Sequence, residues 1–316
     1  MATLDRASVR RFEEEGYLVV EELLDEARDI RPLVAEYEAL LDQKATQWFS
    51  EDMLAASYAE LNFAQRLTQV IRELGDSCFY HFEISLPFDK ITDDTPIHLG
   101  PAAFNLLRSP RVLDAVQSLI GPEIYCHPAH HVRIKVPVEA VKNGINDLTG
   151  TVTGHQDQAG TLPEADDSRI VTSWMAINDA TEANGCLMVI PGSHRGELLP
   201  HGPLPHGGAG IPEEHLPAEA FVPLPIARGG AIFLNSRTIH RSLPNVSDGI
   251  RWSVDARYMP TGRPSGRPFF PGFIARSWLR PENELRDSHA WAETWRLARA
   301  KLARQEKPRF NRAQLD

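Results

Sequence analysis

The spacing of apolar side chains divides the chain into a first third with helical periodicity and a remainder of short strands. Val9 and Phe12 precede three glutamates and Gly16, the pattern of a helix and its stop, and Tyr17 to Val20 is a short β-prone run. Ile30, Leu33, Val34, Tyr37 and Leu41 recur at helical spacing after Asp25. Phe63, Leu67, Val70, Ile71 and Leu74 do the same ahead of Gly75, and Val112, Ala115, Val116 and Leu119 form a stripe closed by Gly121-Pro122. Beyond Gly121 the period changes. Val132, Ile134 and Val136 alternate with Arg133 and Lys135. Arg169 to Ile177 is β-rich, and Cys186 to Ile190 and Ala231 to Leu234 are short apolar strands. Ile250, Trp252, Val254, Ala256 and Tyr258 alternate with Arg251, Ser253, Asp255 and Arg257.

Strands of this length, separated by turn-rich segments, predict an antiparallel sandwich or barrel. With helices first and strands later, the fold class is α+β. Three stretches read as loops: Asn143 to Thr153, His201 to Pro217 and Pro260 to Pro271. Trp291, Trp295, Ala298 and Leu302 share a helical face, so a terminal helix over Asp287 to Gln305 packs its aromatic side on the body. The whole chain, 1–316, is expected to be one domain: a mainly helical flank (1–120), a strand core (121–260) and a C-terminal extension (261–316).

Composition narrows the function class. Asp and Glu total 43 against 33 Lys and Arg, and a net charge of −10 disfavours nucleic acid as a partner. No apolar run approaches the ~18 residues of a membrane helix, so no membrane association is expected. The N-terminal residues carry acids and no apolar stretch of a signal peptide. Cys78, Cys126 and Cys186 form no CxxC pair and are expected to be buried thiols, in keeping with a cytoplasmic protein.

The candidate chemistry lies in His155, Asp157 and His240. Residues two apart on an extended segment point the same way, so His155 and Asp157 can reach one metal ion together. His240 follows just past the strand ending at Leu234, and an antiparallel fold can return it beside the first two. Two imidazoles and one carboxylate on one face of a metal suit Fe(II) with open positions; the alternative is a pair of polar residues in a turn after Gly154. Arg251, eleven residues after His240, shares a strand face with Ser253, while Ile250, Trp252 and Val254 take the other. An inward guanidinium with a hydroxyl beside it fits a dicarboxylate cosubstrate; the alternative is an internal salt bridge, for instance to Asp255.

With these residues the sequence resembles the phytanoyl-CoA dioxygenase (PhyH) family of Fe(II)- and 2-oxoglutarate-dependent oxygenases. The resemblance rests on Gly154-His155-Gln156-Asp157, on Asn184 through Pro191-Gly192-Ser193-His194 to Arg195, on Gly229-Gly230 to His240, on Arg251-Trp252-Ser253, and on the opening segment Phe12 to Val20. It covers most of the chain and is strongest from Gly121 to Pro260. It implies a double-stranded β-helix, a cupin-like jelly-roll barrel with helices packed outside. Carried over, His155, Asp157 and His240 are the iron ligands, Arg251 pairs with the distal carboxylate of 2-oxoglutarate, and Ser253 supports it. O2 is the oxidant, succinate and CO2 the co-products. Some relatives halogenate and have a small residue at the carboxylate position; Asp157 points instead to oxygenation.

Trp174, Lys135 and His127 are candidates for the substrate pocket, with core packing the alternative for Trp174. Of Lys135 and Arg133, one is expected to face solvent. His130 and His131 point to opposite faces, so at most one faces inward. His194 reads as a structural turn histidine. Arg263, Arg267 and Arg276 form an apparent basic group, either an anion pocket or salt bridges. The expected reaction is hydroxylation of an unactivated C–H bond in a small organic metabolite, in specialised metabolism. Two other classes remain: a zinc hydrolase on the same three residues, which needs no Arg251, and a non-catalytic jelly-roll binding protein. No zipper or interface motif marks an oligomeric state.

Overall fold

The computed structural model describes residues 3–87, 91–141, 153–203, 209–218 and 220–305. Nearly all of the expected loop Asn143 to Thr153 and the middle of the loop His201 to Pro217 lie outside them. Helices α1 (Arg6–Glu15), α2 (Arg31–Ser50), α3 (Phe63–Leu74), α4 (Pro101–Leu107) and α5 (Pro110–Ile120) precede or flank the strands, and α6 (Ser288–Leu302) follows them. Their ends have local causes. The Asp5 carboxylate accepts from the Ser8 N–H (2.7 Å) to start α1, and Asn62 accepts from Gln65 (3.0 Å) to start α3. Gly16 ends α1 in the left-handed region. A π-helical turn, Glu26–Ile30, leads into α2, which buries Leu33, Tyr37, Leu41, Ala45 and Trp48. Helix α4 has no counterpart in the hydrophobic pattern: it is short, begins at Pro101, and buries Ala102, Ala103, Phe104, Leu106 and Leu107, so that Asn105 alone is too little polar face to reveal a period.

The strands are β1 (Tyr17–Val20), β2 (Ile124–Lys135), β3 (Val171–Ala176), β4 (Leu187–Val189), β5 (Gly202–Pro203), β6 (Ala209–Gly210), β7 (Val222–Leu224), β8 (Ala231–Asn235), β9 (His240–Ser242), β10 (Arg251–Pro260) and β11 (Phe273–Arg276). They form a six-stranded sheet in the order β1-β8-β3-β10-β2-β11, a three-stranded sheet β7-β4-β9 and a small pair β5-β6. Every named pairing is antiparallel. Strand β2 starts earlier than its alternating pattern suggests. Asp255 pairs with His131 but Arg257 pairs with His127, so β2 bulges around Pro128, which has no N–H for the ladder.

Both faces of the large sheet are covered. Its outer side chains, among them Met175, Phe233, Trp252, Val254, Tyr258 and Ile134, share one core with Leu33, Tyr37, Val70, Phe104, Val116, Trp291 and Trp295 of the helices. The inner face carries Tyr17, Trp174, Ala176, Ile232 and Leu234 against Leu187, Val189 and Leu224 of the small sheet. The inner row continues along β10 and β2 as Arg251, Ser253, Asp255 and Arg257 opposite Lys135, Arg133, His131 and His127. The interior is therefore apolar at β1, β8 and β3 and charged at β10 and β2.

Gly16 joins the end of α1 to the end of β8 and to the turn before β9. Its carbonyl accepts from Asn235 N–H (2.9 Å) and from the Thr238 hydroxyl (2.6 Å), and a Cβ on it would run into the His194 ring. It also has φ +77°. Gly16→Ala is therefore expected to cost about 2–3 kcal/mol from backbone strain and collision together, read as a lower urea midpoint at an unchanged slope.

Candidate metal centre

His155, Asp157 and His240 come together: one ligand atom from each lies within 4.8 Å of the others. His155 and His240 form an isolated antiparallel bridge, exchanging both backbone bonds at 3.0 Å. The His-x-Asp segment is not part of a regular strand. His155 is held by that bridge, Gln156 is extended, and Asp157 opens a 3-10 turn. The two-residue spacing still brings both ligands to one side, because only the extended Gln156 separates them. The Gln156 side chain is spent on this geometry: it donates to the carbonyls of Arg237 (2.8 Å) and Glu197 (3.2 Å) and accepts from Leu199 N–H (2.8 Å).

Both imidazoles are oriented by their own backbone. His155 Nδ1 lies 2.9 Å from the Thr153 carbonyl and His240 Nδ1 2.9 Å from the Thr238 carbonyl. A carbonyl only accepts, so each Nδ1 donates to it and each ring is turned with Nε2 toward Asp157. These Nε2 atoms stand 3.9 and 4.0 Å from Asp157 Oδ1. His240 and Asp157 are buried, and the His155 side chain is 23% exposed, so the open side of the site is at His155. Two imidazoles and one carboxylate whose donor atoms converge fit a divalent ion with further positions open.

The sequence reading missed two partners of Asp157. The Thr172 hydroxyl donates to Oδ2 at 2.5 Å, and Arg257 Nη2 donates to Oδ1 at 2.5 Å while its Nη1 bonds Asp255 at 3.0 Å. Burial alone would raise the Asp157 carboxyl. Arg257, then the two imidazoles, outweigh it and hold the group far below the usual carboxylate range. The signal for Arg257 was the alternation that placed Arg251 and Ser253, extended two steps along the same strand.

Arg251 and Ser253 do share the inner face. Arg251 donates to the Ser253 hydroxyl (2.6 Å) and to the carbonyls of Gly185 (3.3 Å) and Arg133 (3.5 Å), and its guanidinium lies 5.4 Å from the Trp174 ring centre. It is 3% exposed and makes no ion pair with a carboxylate among the described residues. The carboxylate considered for it, Asp255, pairs with Arg257 and, at 3.6 Å, with Arg133. Lys135 and Arg133 lie on one side of β2, so the expectation that one of them faces solvent is corrected: residues two apart in a strand share a face, and this face is internal. Lys135 is buried and donates to the Ser242 hydroxyl (2.8 Å) and the Leu243 carbonyl (2.6 Å).

His127 is buried with both ring nitrogens engaged: Ala129 N–H donates to Nδ1 (3.1 Å), and Nε2 donates to the Ser265 carbonyl (2.7 Å). Burial pushes its pKa down to about 3. His131 faces inward beside Glu83 (3.2 Å), whereas His130 packs edge-on against Trp295 of α6. His194 donates through Nε2 to the Glu13 carbonyl (3.0 Å), a turn histidine binding α1. Arg263, Arg267 and Arg276 do not form a group. Arg263 is exposed, Arg276 pairs with Asp114 (2.8 Å), and Arg267 turns inward to the Gly160 carbonyl (2.5 Å), because β11 and the turn before it carry them to different sides.

A profile of the family "Phytanoyl-CoA dioxygenase (PhyH)" matches residues 12–253. Phytanoyl-CoA dioxygenase domain-containing protein 1 of Bos taurus is 27% identical over 301 residues, covering 90% of this chain and 98% of its own. The peroxisomal phytanoyl-CoA dioxygenase of Homo sapiens is 26% identical over 254 residues, covering 78% of this chain and 66% of its own. Among solved structures, the non-heme monooxygenase ThoJ in its apo form matches with a TM-score of 0.57 at 21% identity, covering 93% of this chain and 98% of that one. At that identity the likeness speaks to fold. The protein is an enzyme of the non-haem, iron- and 2-oxoglutarate-dependent dioxygenase class, which uses Fe(II), 2-oxoglutarate and O2. Within that class, the chain belongs to the phytanoyl-CoA dioxygenase family. Among the described residues no helix is long and apolar enough to cross a membrane.

Arg257 answers two buried carboxylates, and removing it leaves Asp157 with only the Thr172 hydroxyl and Asp255 with only the longer Arg133 contact among the contacts named above. Arg257→Met is expected to destabilise the metal-free protein by about 3–5 kcal/mol. Added divalent metal should restore part of this by replacing the lost positive charge at Asp157. Urea unfolding with and without metal checks both parts.

Proposed function

We propose that this protein is a single-domain jelly-roll oxygenase that hydroxylates an unactivated C–H bond of a small organic metabolite, releasing succinate and CO2. The observation that carries the reading is the convergence of the His155 and His240 Nε2 atoms and the Asp157 carboxylate, with each imidazole oriented by a backbone carbonyl. In this reading His155, Asp157 and His240 hold the iron. Arg251 and Ser253 bind the distal carboxylate of 2-oxoglutarate, and the Trp174 ring forms a wall beside them. Bound iron with 2-oxoglutarate and O2 supplies the oxidising power for C–H cleavage.

The chain's own residues do the rest. Thr172 and Arg257 keep Asp157 ionised and aimed. Gln156 fixes the backbone between the first two ligands. The apolar cluster of Trp174, Ile232, Leu234, Leu187 and Val189 keeps water from the interior beside the cosubstrate. The intact Asp157 supports oxygenation over halogenation. A zinc hydrolase would have no use for the buried Arg251, which favours the oxygenase reading over it. Three buried free thiols support a cytoplasmic location.

Anaerobic titration of metal-free protein with Fe(II) and 2-oxoglutarate tests the assignment. A weak visible charge-transfer band should grow with both present and vanish in His240→Ala. Arg251→Ala should retain metal while 2-oxoglutarate affinity falls at least about 30-fold, the loss of a buried charge-assisted pair. Unchanged affinity in that variant would remove Arg251 from the cosubstrate site, and binding of neither reagent would sink the oxygenase reading.

A further inference from the structure

Arg251 and Lys135 are direct cross-strand partners in the antiparallel pairing of β10 with β2. Both side chains point to the inner face, and they are 3% and 1% exposed. Like charges directly opposite each other destabilise a sheet even at a surface, and burial without a counter-charge makes the conflict severe. Yet every partner that either cation has among the described residues is neutral. Arg251 bonds Ser253, the Gly185 carbonyl and the Arg133 carbonyl; Lys135 bonds the Ser242 hydroxyl and the Leu243 carbonyl. The two side chains also flank one glycine. Gly185 accepts from Arg251 through its carbonyl, and a Cβ on it would press on Lys135 Cδ at 2.8 Å.

We propose that Lys135 is the second cation of the cosubstrate site, neutral until 2-oxoglutarate binds and protonated as the distal carboxylate enters beside Arg251, so that cosubstrate binding takes up a proton. This rests on the oxygenase reading above. A neutral amine has two N–H groups, and Lys135 has two acceptors for them. The third N–H of an ammonium has no acceptor among the described residues, and an incoming carboxylate supplies one. Ser242 ties the amine to the metal site: it lies two residues beyond His240 on β9 and accepts from Lys135.

Both cations facing Lys135 lower its pKa, Arg251 opposite it on β10 and Arg133 two residues back on its own strand, while the Cys186 thiol after Gly185 acts the other way and is outweighed. Asp255 is taken up by Arg257 and Arg133. Burial first, then Arg251, pushes the amine down to about 6, and burial and Arg133 bring Arg251 down to about 10. A dianion between them reverses the field on both.

The sign follows from linkage. The lysine pKa is low in the free site and raised in the complex, so affinity is full below about pH 6. It falls as pH rises above that value, by about tenfold per unit, until the pKa of the complex is reached. Calorimetric titration of anaerobic Fe(II)-loaded protein with 2-oxoglutarate at pH 8, in HEPES and in Tris, reads the protons directly from the difference in heats. The wild type should take up about one proton per site. Lys135→Met should bind about tenfold or more weakly at pH 7, with no uptake and no pH dependence. Binding by the wild type without uptake overturns the role of Lys135. Equal uptake in Lys135→Met does the same, since the proton then goes elsewhere. No binding of 2-oxoglutarate by the wild type overturns the oxygenase reading itself, and this proposal with it.

Discussion

Strand β10 carries charge into the protein interior, and much of the site follows from how that charge is answered. Its inner face presents Arg251, Ser253, Asp255 and Arg257 in sequence. Buried ions persist only when paired or bound. At the Arg257 end the answer is internal: Asp255 and Asp157 both pair with the guanidinium, and Arg257 is held firmly protonated by them despite its burial. At the Arg251 end only neutral atoms meet the cation. One end of the strand thus holds the Asp157 carboxylate in place, and the other keeps a buried cation whose described partners are all neutral.

The ligands themselves come from segments that have little regular structure of their own. His240 sits on a three-residue strand, and His155 makes only a bridge to it. Their precision is borrowed. The turn at Pro191-Gly192-Ser193-His194 fixes β9 from one side: the Ser193 hydroxyl accepts from Ile239 N–H (2.9 Å) immediately before His240 and donates to the Ile190 carbonyl (2.6 Å). Gly192 N–H and His194 reach the carbonyls of Glu15 and Glu13 at the end of α1. The motif is thus a clamp that joins the first helix to the strand bearing a metal ligand. That explains why its histidine is not itself a ligand.

What the sequence made legible, and what it hid, follows from the same packing. Strand β10 was readable because one face meets helices and the other the charged interior, so apolar and polar residues alternate without a break. The first half of β2 was not, because the bulge at Pro128 interrupts the period and because His127, His130 and His131 are buried polar groups that look like loop. The helices were legible where one side meets water; α4, seven residues long with Asn105 its only polar residue, left no period to detect. Residue type and spacing offered His155, Asp157 and His240 as a group but left a polar turn after Gly154 open, and the family motifs around them singled them out. Arg257 and Ser242 lay two residues along from known inward positions, but their roles required knowing which segment arrives opposite them. The solvent assignment for Lys135 or Arg133 failed because alternation shows which residues share a face, not which face is covered.

The segments around the metal end are fastened to one another, not to the sheets by strand pairing. Arg267 reaches the Gly160 carbonyl, the Ser168 hydroxyl donates to the Pro264 carbonyl (2.7 Å), and Leu162 N–H donates to the Gly266 carbonyl (3.0 Å). His127, from inside the large sheet, donates to Ser265 in the same turn. Across the site, Gln156 N–H donates to His201 Nε2 (2.9 Å), and Ile211 N–H donates to the Gly154 carbonyl (2.8 Å). Such side-chain and single backbone bonds hold a loop at a few points and leave its intervening residues free to differ. By contrast, His240 and Arg251 sit on β9 and β10, and His155 lies directly against β9.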